Sequence, residues 1–335
     1  MWAKIAVLVL VLAVAGCGGE GGEPKAAEKP QVAFITNGIA SFWDIAAKGA
    51  QAAAVKFDVE VDVQMPPEGA PDQKRMVQSQ LVRGVDGIAI SPIDPANQQD
   101  LLDEAAAQTP LITHDSDAPN SKRLCYVGMD NYSAGRLCGQ LVKEAMPEGG
   151  SVMIFVGRLG QLNAEQRRQG LIDELLDRTD DPNRRDPVEQ VLEGEKYTIL
   201  DTRTDQFDFG KAKALAEDAI AKYPDLGCMV GLFAYNPPKC LEAVKEAGKT
   251  GQIKIVAFDE EDGTLQGIKD GHVYGTVVQN PYEYGFQSVR ILAGLARGDQ
   301  SVLPEGGFLD ITARKITRDN VDQFWTRLKE LTATK

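Results

Sequence analysis

The chain lacks most of what the commoner chemistries require. It has two histidines in 335 residues, His114 and His272, far apart from each other. No CxxC pair, HExxH or GxSxG occurs, so a zinc or iron–sulfur centre and a hydrolase nucleophile elbow have no carrier. Two lone histidines also give little for acid–base work. Gly248-Lys249-Thr250 ends like a phosphate-binding loop, but Ala243 stands where the leading glycine belongs and the stretch follows a helical pattern. It reads as a helix end with Gly248 just past it. Positive charge is scarce as well: 36 Lys and Arg stand against 49 Asp and Glu, a net charge of −13. Phosphate contacts need clustered cations, so the charge argues against a nucleic-acid partner and against docking on anionic lipid.

Long apolar runs are missing after the first. Ile5 to Gly16 is about a dozen residues, preceded by Lys4 and ending in small residues, too short to span a bilayer comfortably. It reads as a secretory signal over residues 1–16. Its final four residues, Val14-Ala15-Gly16-Cys17, resemble a bacterial lipobox, which implies a lipid on Cys17 as first residue of the mature chain. Residues 17–30, rich in Gly, Glu, Lys and Pro, carry too little apolar surface to offset the entropy of ordering them. They read as a tether that holds the rest within roughly 20 Å of the membrane. That lipid is the expected membrane contact, and the expected location is the periplasm or cell surface. Cys125, Cys138, Cys228 and Cys240 remain. An exported chain permits disulfides between them, in three connectivities, but a chain of this size needs no staples, and buried thiols are favoured.

With 43% hydrophobic and 25% charged residues, the 300 or so residues after the leader suit two domains. From Gln31 onward, β-rich apolar runs alternate with helical patterns. Strands are predicted at 32–36, 59–65, 87–91, 110–115, 125–130, 151–157, 197–204, 228–234, 253–259 and 273–279. Helices are predicted at 42–56, 70–83, 95–108, 132–145, 164–176, 209–222 and 237–247. Such alternation predicts α/β architecture with parallel, doubly wound sheets. Ten strands in 300 residues predict two sheets of about five. In sheets of this kind ligands bind beyond the carboxyl ends of the strands.

Those ends read Thr36-Asn37, Ser91, His114-Asp115, Asp130-Asn131, Asn236, Asp259 and Gln279-Asn280. Each one alone suits a helix cap or a turn. Together they make a ring of polar groups with few permanent cations, which suits a small, neutral, polyhydroxylated ligand. Phe42 and Trp43, adjacent at the start of the first helix, and Phe207, Tyr235 and Phe258, near strand ends, are each either core or a platform for the C–H face of a sugar. The Arg167 guanidinium can bond two adjacent hydroxyls, or else form an ion pair. The acidic run from Glu260 to Asp262 is expected as a solvated helix start, where carboxylates favour the dipole.

The order of these motifs resembles periplasmic sugar-binding proteins of the ribose-binding type, solute-binding components of ABC importers. Ile35-Thr36-Asn37, Phe42-Trp43, Gly87-Ile88-Ala89-Ile90-Ser91-Pro92, His114-Asp115, Val127-Gly128-Met129-Asp130-Asn131, the Arg167 segment, Ala257-Phe258-Asp259 and Gly275-Thr276-Val277-Val278-Gln279 carry the resemblance. It implies two Rossmann-like lobes, 31–129 with 280–309 and 130–279 with 310–335, joined by a three-stranded hinge with the ligand cleft between them. It also implies ligand contacts at Thr36, Asn37, Phe42, Trp43, Ser91, Asp115, Arg167, Phe207, Asn236, Asp259 and Gln279, with no cofactor, metal or catalysis. The expected chain is a monomer that captures a monosaccharide or polyol by lobe closure and delivers it to a membrane permease. The alternative is a receptor component serving a sensor kinase or chemoreceptor. Ser116 replaces the arginine that often follows the cleft aspartate, and Asn236-Pro237 replaces the usual Asn-Asp, so pentose, hexose and other polyols all stay open.

Overall fold

The structure, a computed structural model, describes residues 29–333; the signal segment, Cys17 and most of the expected tether lie outside the described residues. In chain order the elements are β1 (Gln31–Ile35), α1 (Ser41–Phe57), β2 (Glu60–Gln64), α2 (Ala70–Arg83), β3 (Gly87–Ile90), α3 (Gln99–Gln108), β4 (Leu111–His114), β5 (Tyr126–Gly128), α4 (Asn131–Ala145), β6 (Gly150–Val156) and α5 (Leu162–Leu175). They continue with β7 (Leu192–Glu193), β8 (Tyr197–Thr204), α6 (Phe209–Lys222), β9 (Leu226–Gly231), α7 (Asn236–Glu246), β10 (Lys254–Phe258), α8 (Asp262–Lys269), β11 (Gly275–Val278), α9 (Pro281–Ala296), β12 (Phe308–Asp310), β13 (Arg314–Thr317) and α10 (Val321–Thr332).

The strands form two open sheets. One has the order β12-β5-β4-β3-β1-β2 and is parallel throughout. The other has the order β13-β11-β10-β9-β6-β8-β7 and is parallel except for its antiparallel edges, β13 and β7. All ten predicted strands are present. The short edge strands β7, β12 and β13 were not predicted, because two to four residues with exposed positions leave no apolar run to read.

Burial explains why the apolar runs became strands with helices on both faces. In β1, Val32 and Phe34 join one core cluster while Ala33 and Ile35 join the cluster on the opposite face. In β6, Val152, Ile154 and Val156 pack on one side and Met153 and Phe155 on the other. A strand covered on both faces has no solvent side to mark with polar residues, hence its continuous hydrophobic run. The chain passes between the sheets three times: after β5 into α4, after β11 into α9, and from β12 to β13.

Cys125, Cys138, Cys228 and Cys240 are all free and buried. Burial pushes the Cys125 and Cys228 thiols up to about 11 and about 12 and raises the other two further, so they act as apolar packing groups. One expectation is corrected. Glu260 is not part of a solvated helix start: it is only 5% exposed. The helix starts two residues later, with Glu261 as N-cap, and the turn after β10 carries Glu260 into the space between α1 and α10. Glu261 accepts from Ser41 Oγ at 2.5 Å, a bond between the two lobes, and only Asp262 is exposed.

Candidate functional site

Both central carboxylates stand one residue past a strand, Asp115 after β4 and Asp259 after β10. Both adopt left-handed backbone, φ 57° and 69°, a conformation that costs a non-glycine residue about 1–3 kcal/mol and persists where the surroundings enforce it. The turns aim the two side chains into one cavity of about 420 Å³ between the lobes. That volume falls within the range of small-molecule sites, about 300–1,000 Å³.

Asp115 Oδ2 accepts from Ser91 Oγ at 3.0 Å, Asn37 Nδ2 at 3.3 Å and Asn163 Nδ2 at 3.2 Å. Asn163 belongs to the other lobe, so its bond spans the cleft. Arg167, on the first turns of α5, is 1% exposed. Its Nε donates to Asn131 Oδ1 at 2.9 Å and its Nη1 to the Leu232 carbonyl at 3.3 Å. Its guanidinium lies 4.5 Å over the Phe258 ring, and Nη2, 3.7 Å from Asp115 Oδ1, has no hydrogen-bond partner. A fixed cation is thus left with an unused donor at the cavity. On the far side Gln279 Nε2 donates to Asp259 Oδ1 at 2.6 Å, while Gln279 Oε1 accepts from Tyr284 OH at 3.0 Å. Gln279 is placed by the end of β11 just before it, with Asn280 capping α9 and Pro281 at that helix's first position.

Burial raises the pKa of Asp115 despite the nearby Arg167. Burial pushes Asp259 up to about 6, the proximity of Asp115 adding to it while Arg167 and the Gln279 bond oppose it. Two carboxylates and one guanidinium are buried around one space, so hydroxyl donors entering it would be well received.

The aromatic residues divide by place. Phe42 and Trp43 are both core and wall: they are buried, meet edge to face at 4.8 Å, and line the cavity. Trp43 Nε1 donates to Asn37 Oδ1 at 3.2 Å, which fixes the Asn37 amide toward Asp115 and Ser91. Phe207, half-buried, lines the opposite wall. Phe258 packs in the core beneath Arg167.

Of the residues predicted at the ligand, Asn37, Phe42, Trp43, Asp115, Arg167, Phe207, Asp259 and Gln279 line the cavity. Thr36, Ser91 and Asn236 do not. Thr36 Oγ1 donates to the Gly38 carbonyl at 2.8 Å and Ser91 supports Asp115, both fully buried. Asn236 Nδ2 donates to Asp205 Oδ2 at 2.8 Å. His114 is core: it stacks on Phe34 at 4.1 Å, meets the Ile35 carbonyl at 3.2 Å, and burial pushes its pKa down to about 3. Asp130 caps α4, accepting from the Ser133 N–H at 3.0 Å.

Sequence reasoning missed Asn163, Phe233 and Asp205. Asp205 sits one residue after β8 and accepts from Tyr235 OH, Asn236 Nδ2 and the Phe207 N–H, which ties the aromatic wall together. Applying the strand-end rule to β8 would have found it. Asn163 carries no such signal, since it reads as an ordinary polar residue opening a helix.

The family description "Periplasmic binding protein domain" matches residues 32–300. Curated relatives include the D-ribose/D-allose-binding protein of Pseudomonas aeruginosa, 24% identical over 80% of this chain and 83% of the relative. The ribose import binding protein RbsB of Salmonella typhimurium is 23% identical over 89% and 94%. Among solved structures, an ABC transporter solute binding protein of Burkholderia graminis in complex with D-arabinose superposes with a TM-score of 0.79, at 26% identity over 89% of this chain and 98% of that one. Another, from Agrobacterium vitis and bound with α-D-tagatopyranose, gives a TM-score of 0.79 at 24% identity over 90% and 99%. The chain therefore belongs to the periplasmic binding protein family. Within it the chain is of the ribose-binding type, a solute-binding protein and not an enzyme.

Proposed function

We propose that this chain captures a small sugar or polyol in the cleft between its lobes and delivers it to the permease of an ABC importer. The observation that carries the reading is the convergence of Asp115, Arg167, Asp259 and Gln279, all at most 4% exposed, on one cavity walled by Phe42, Trp43 and Phe207. Carboxylates accept from hydroxyls, Arg167 Nη2 supplies an unused donor, Asn37 and Gln279 do both, and ring faces cover the C–H surface. Thr36, Ser91 and Asn236 act as positioning residues, through the Gly38 turn, Asp115 and Asp205. The ligands named for the relatives, ribose, allose, arabinose and tagatose, agree with this chemistry.

In this reading the lobes are 31–129 with 280–309 and 130–279 with 310–335. Closure brings Asn163 onto Asp115, and the permease recognises the closed pair of lobes. A lipid on Cys17 keeps the protein, a monomer, at the membrane outside the cytoplasm; Cys17→Ser should release it into the soluble extracytoplasmic fraction. Binding is tested by calorimetry of the purified protein against pentoses, hexoses and polyols. One of them should bind, with the signal lost in Asp115→Ala and in Asp259→Ala. Silence across all sugars with a response to amino acids would keep the fold and overturn the solute class.

A further inference from the structure

The cavity is graded. Its floor, from Asp115 to Gln279, is polar and buried, whereas its mouth is open to solvent and sets apolar side chains among the polar Glu68, Arg158 and Gln206. Ile39 is 64% exposed on the first lobe, beside Pro66 and Pro67, and Phe209 is 47% exposed on the facing lobe, beside Phe207. These residues follow β1, β2 and β8, so the mouth is built at strand ends as the floor is. Phe209 packs on Tyr235 with ring centroids 4.6 Å apart. Phe207 is held by Phe233 at 5.7 Å and by the Arg158 guanidinium at 5.1 Å, itself bonded through Nε to Gln206 Oε1 at 3.3 Å.

The backbone beneath this wall is strained. Gln206 and Phe207 have φ 62° and 66°, and among the described residues they are the one pair of adjacent non-glycine residues with positive φ. Asp205 fixes the turn by accepting from the Phe207 N–H at 2.8 Å. Enforced strain at a cavity wall marks a placed side chain rather than a slack loop. A single sugar ring on the polar floor satisfies the hydroxyl-binding groups and leaves Ile39, Pro67 and Phe209 bare to water. Their burial becomes favourable only when the ligand has a second apolar surface.

We infer that the preferred ligand is a sugar carrying a second ring, with the sugar on the Asp115–Arg167–Asp259 floor and the second ring between Ile39 with Pro66 and Pro67 on one side and Phe207 with Phe209 on the other. The inference rests on the sugar-binding reading and narrows it. The shared chemistry is a ring that presents an apolar face, supplied either by a second sugar, as in a disaccharide, or by an aromatic substituent, as in a phenyl glycoside or a nucleoside.

The test is calorimetry on the purified protein with matched sets: D-ribose and uridine, D-xylose, xylobiose and phenyl β-D-xyloside, D-glucose, cellobiose and phenyl β-D-glucoside, D-galactose and phenyl β-D-galactoside, D-arabinose and phenyl α-D-arabinoside. One ring-bearing member should bind at least tenfold tighter than its parent sugar. Phe209→Ala and Ile39→Ser should abolish that gain and change the parent's Kd less than threefold, with unchanged melting temperatures. Tighter binding of disaccharides than of aryl forms, or the reverse, names the source of the ring. A parent sugar that binds while every ring-bearing form of it binds no tighter overturns the inference and leaves the sugar-binding reading intact. No binding by any member of any set overturns both.

Discussion

Asp259 is where stability and binding oppose each other. Its pKa rises from 3.8 to about 6 in the fold, chiefly through burial. Between those values the native state binds more protons than the unfolded chain, so this group's contribution favours the fold at acid pH and is lost as pH rises through about 6. Asp259→Asn should therefore raise unfolding free energy at pH 7 by about 2 kcal/mol, with little change at pH 4, while abolishing sugar binding. Urea denaturation at the two pH values checks it, and a variant less stable than the parent at pH 7 would contradict it. Arg167 behaves in the opposite sense. It is buried between carboxylates, so Arg167→Ala should cost about 3–5 kcal/mol as well as binding, because Asp115 and Asp259 then lose their cation. At this scale the sequence spoke clearly wherever a polar residue closed a strand, as with Asp115, Asp259 and Gln279. It could not separate residues that line the cavity from Ser91, Thr36 and Asn236, since whether a side chain faces the cleft or supports a neighbour depends on the opposite lobe.

Helix pairs set where those strand ends lie. α4 crosses α5 so closely that a Cβ on Gly135 would meet the Arg167 carbonyl, and α1 crosses α9 so that one on Gly285 would meet the Ala46 carbonyl. Backbone cannot yield as a side-chain tip does, so Gly135→Ala and Gly285→Ala should each cost about 1–3 kcal/mol by overpacking. Gly135→Ala should also weaken sugar binding, because the strain falls on the turn that holds Arg167; denaturation and calorimetry on the same preparations would show both losses. A Gly135→Ala protein that binds normally would detach Arg167 from that crossing. Period and composition foretold α1, α4, α5 and the ten principal strands, because each buries a continuous run or a stripe, whereas α9 (Pro281–Ala296) was not among the predicted helices. They did not foretell β7, β12 or β13, which are edge strands held by pairing rather than by apolar burial, nor the inward turn of Glu260, which has the same acidic sequence as a solvated helix start.

The whole molecule is two lobes whose contact surface contains both the cavity and Glu260. The Glu260 carboxylate is buried with neither oxygen hydrogen-bonded, and it lines the groove that α1 and α10 share. Burial and the adjacent Asp259 raise its pKa well above the ordinary carboxylate range, with Arg167 and Arg314 opposing. Opening the lobes would hydrate it, so it taxes closure. Glu260→Gln should favour the closed form, tightening sugar binding about tenfold at pH 7 and shrinking the ligand-free molecule in small-angle scattering. Unchanged affinity and size would remove Glu260 from the closure equilibrium. Parallel sheets were legible from alternation, and their number from the strand count and chain length, and the ordered motifs pointed to the right family; the gradation of the cleft was not, since Ile39 and Phe209 are far apart in sequence and share only the cavity between the lobes. The most direct test of the account is calorimetry of the purified protein against the sugar panel, alongside Asp115→Ala. One sugar or its glycoside should bind saturably, one to one, and that binding should disappear in the variant. Binding that survives Asp115→Ala unchanged, or no binding of any sugar, would contradict it.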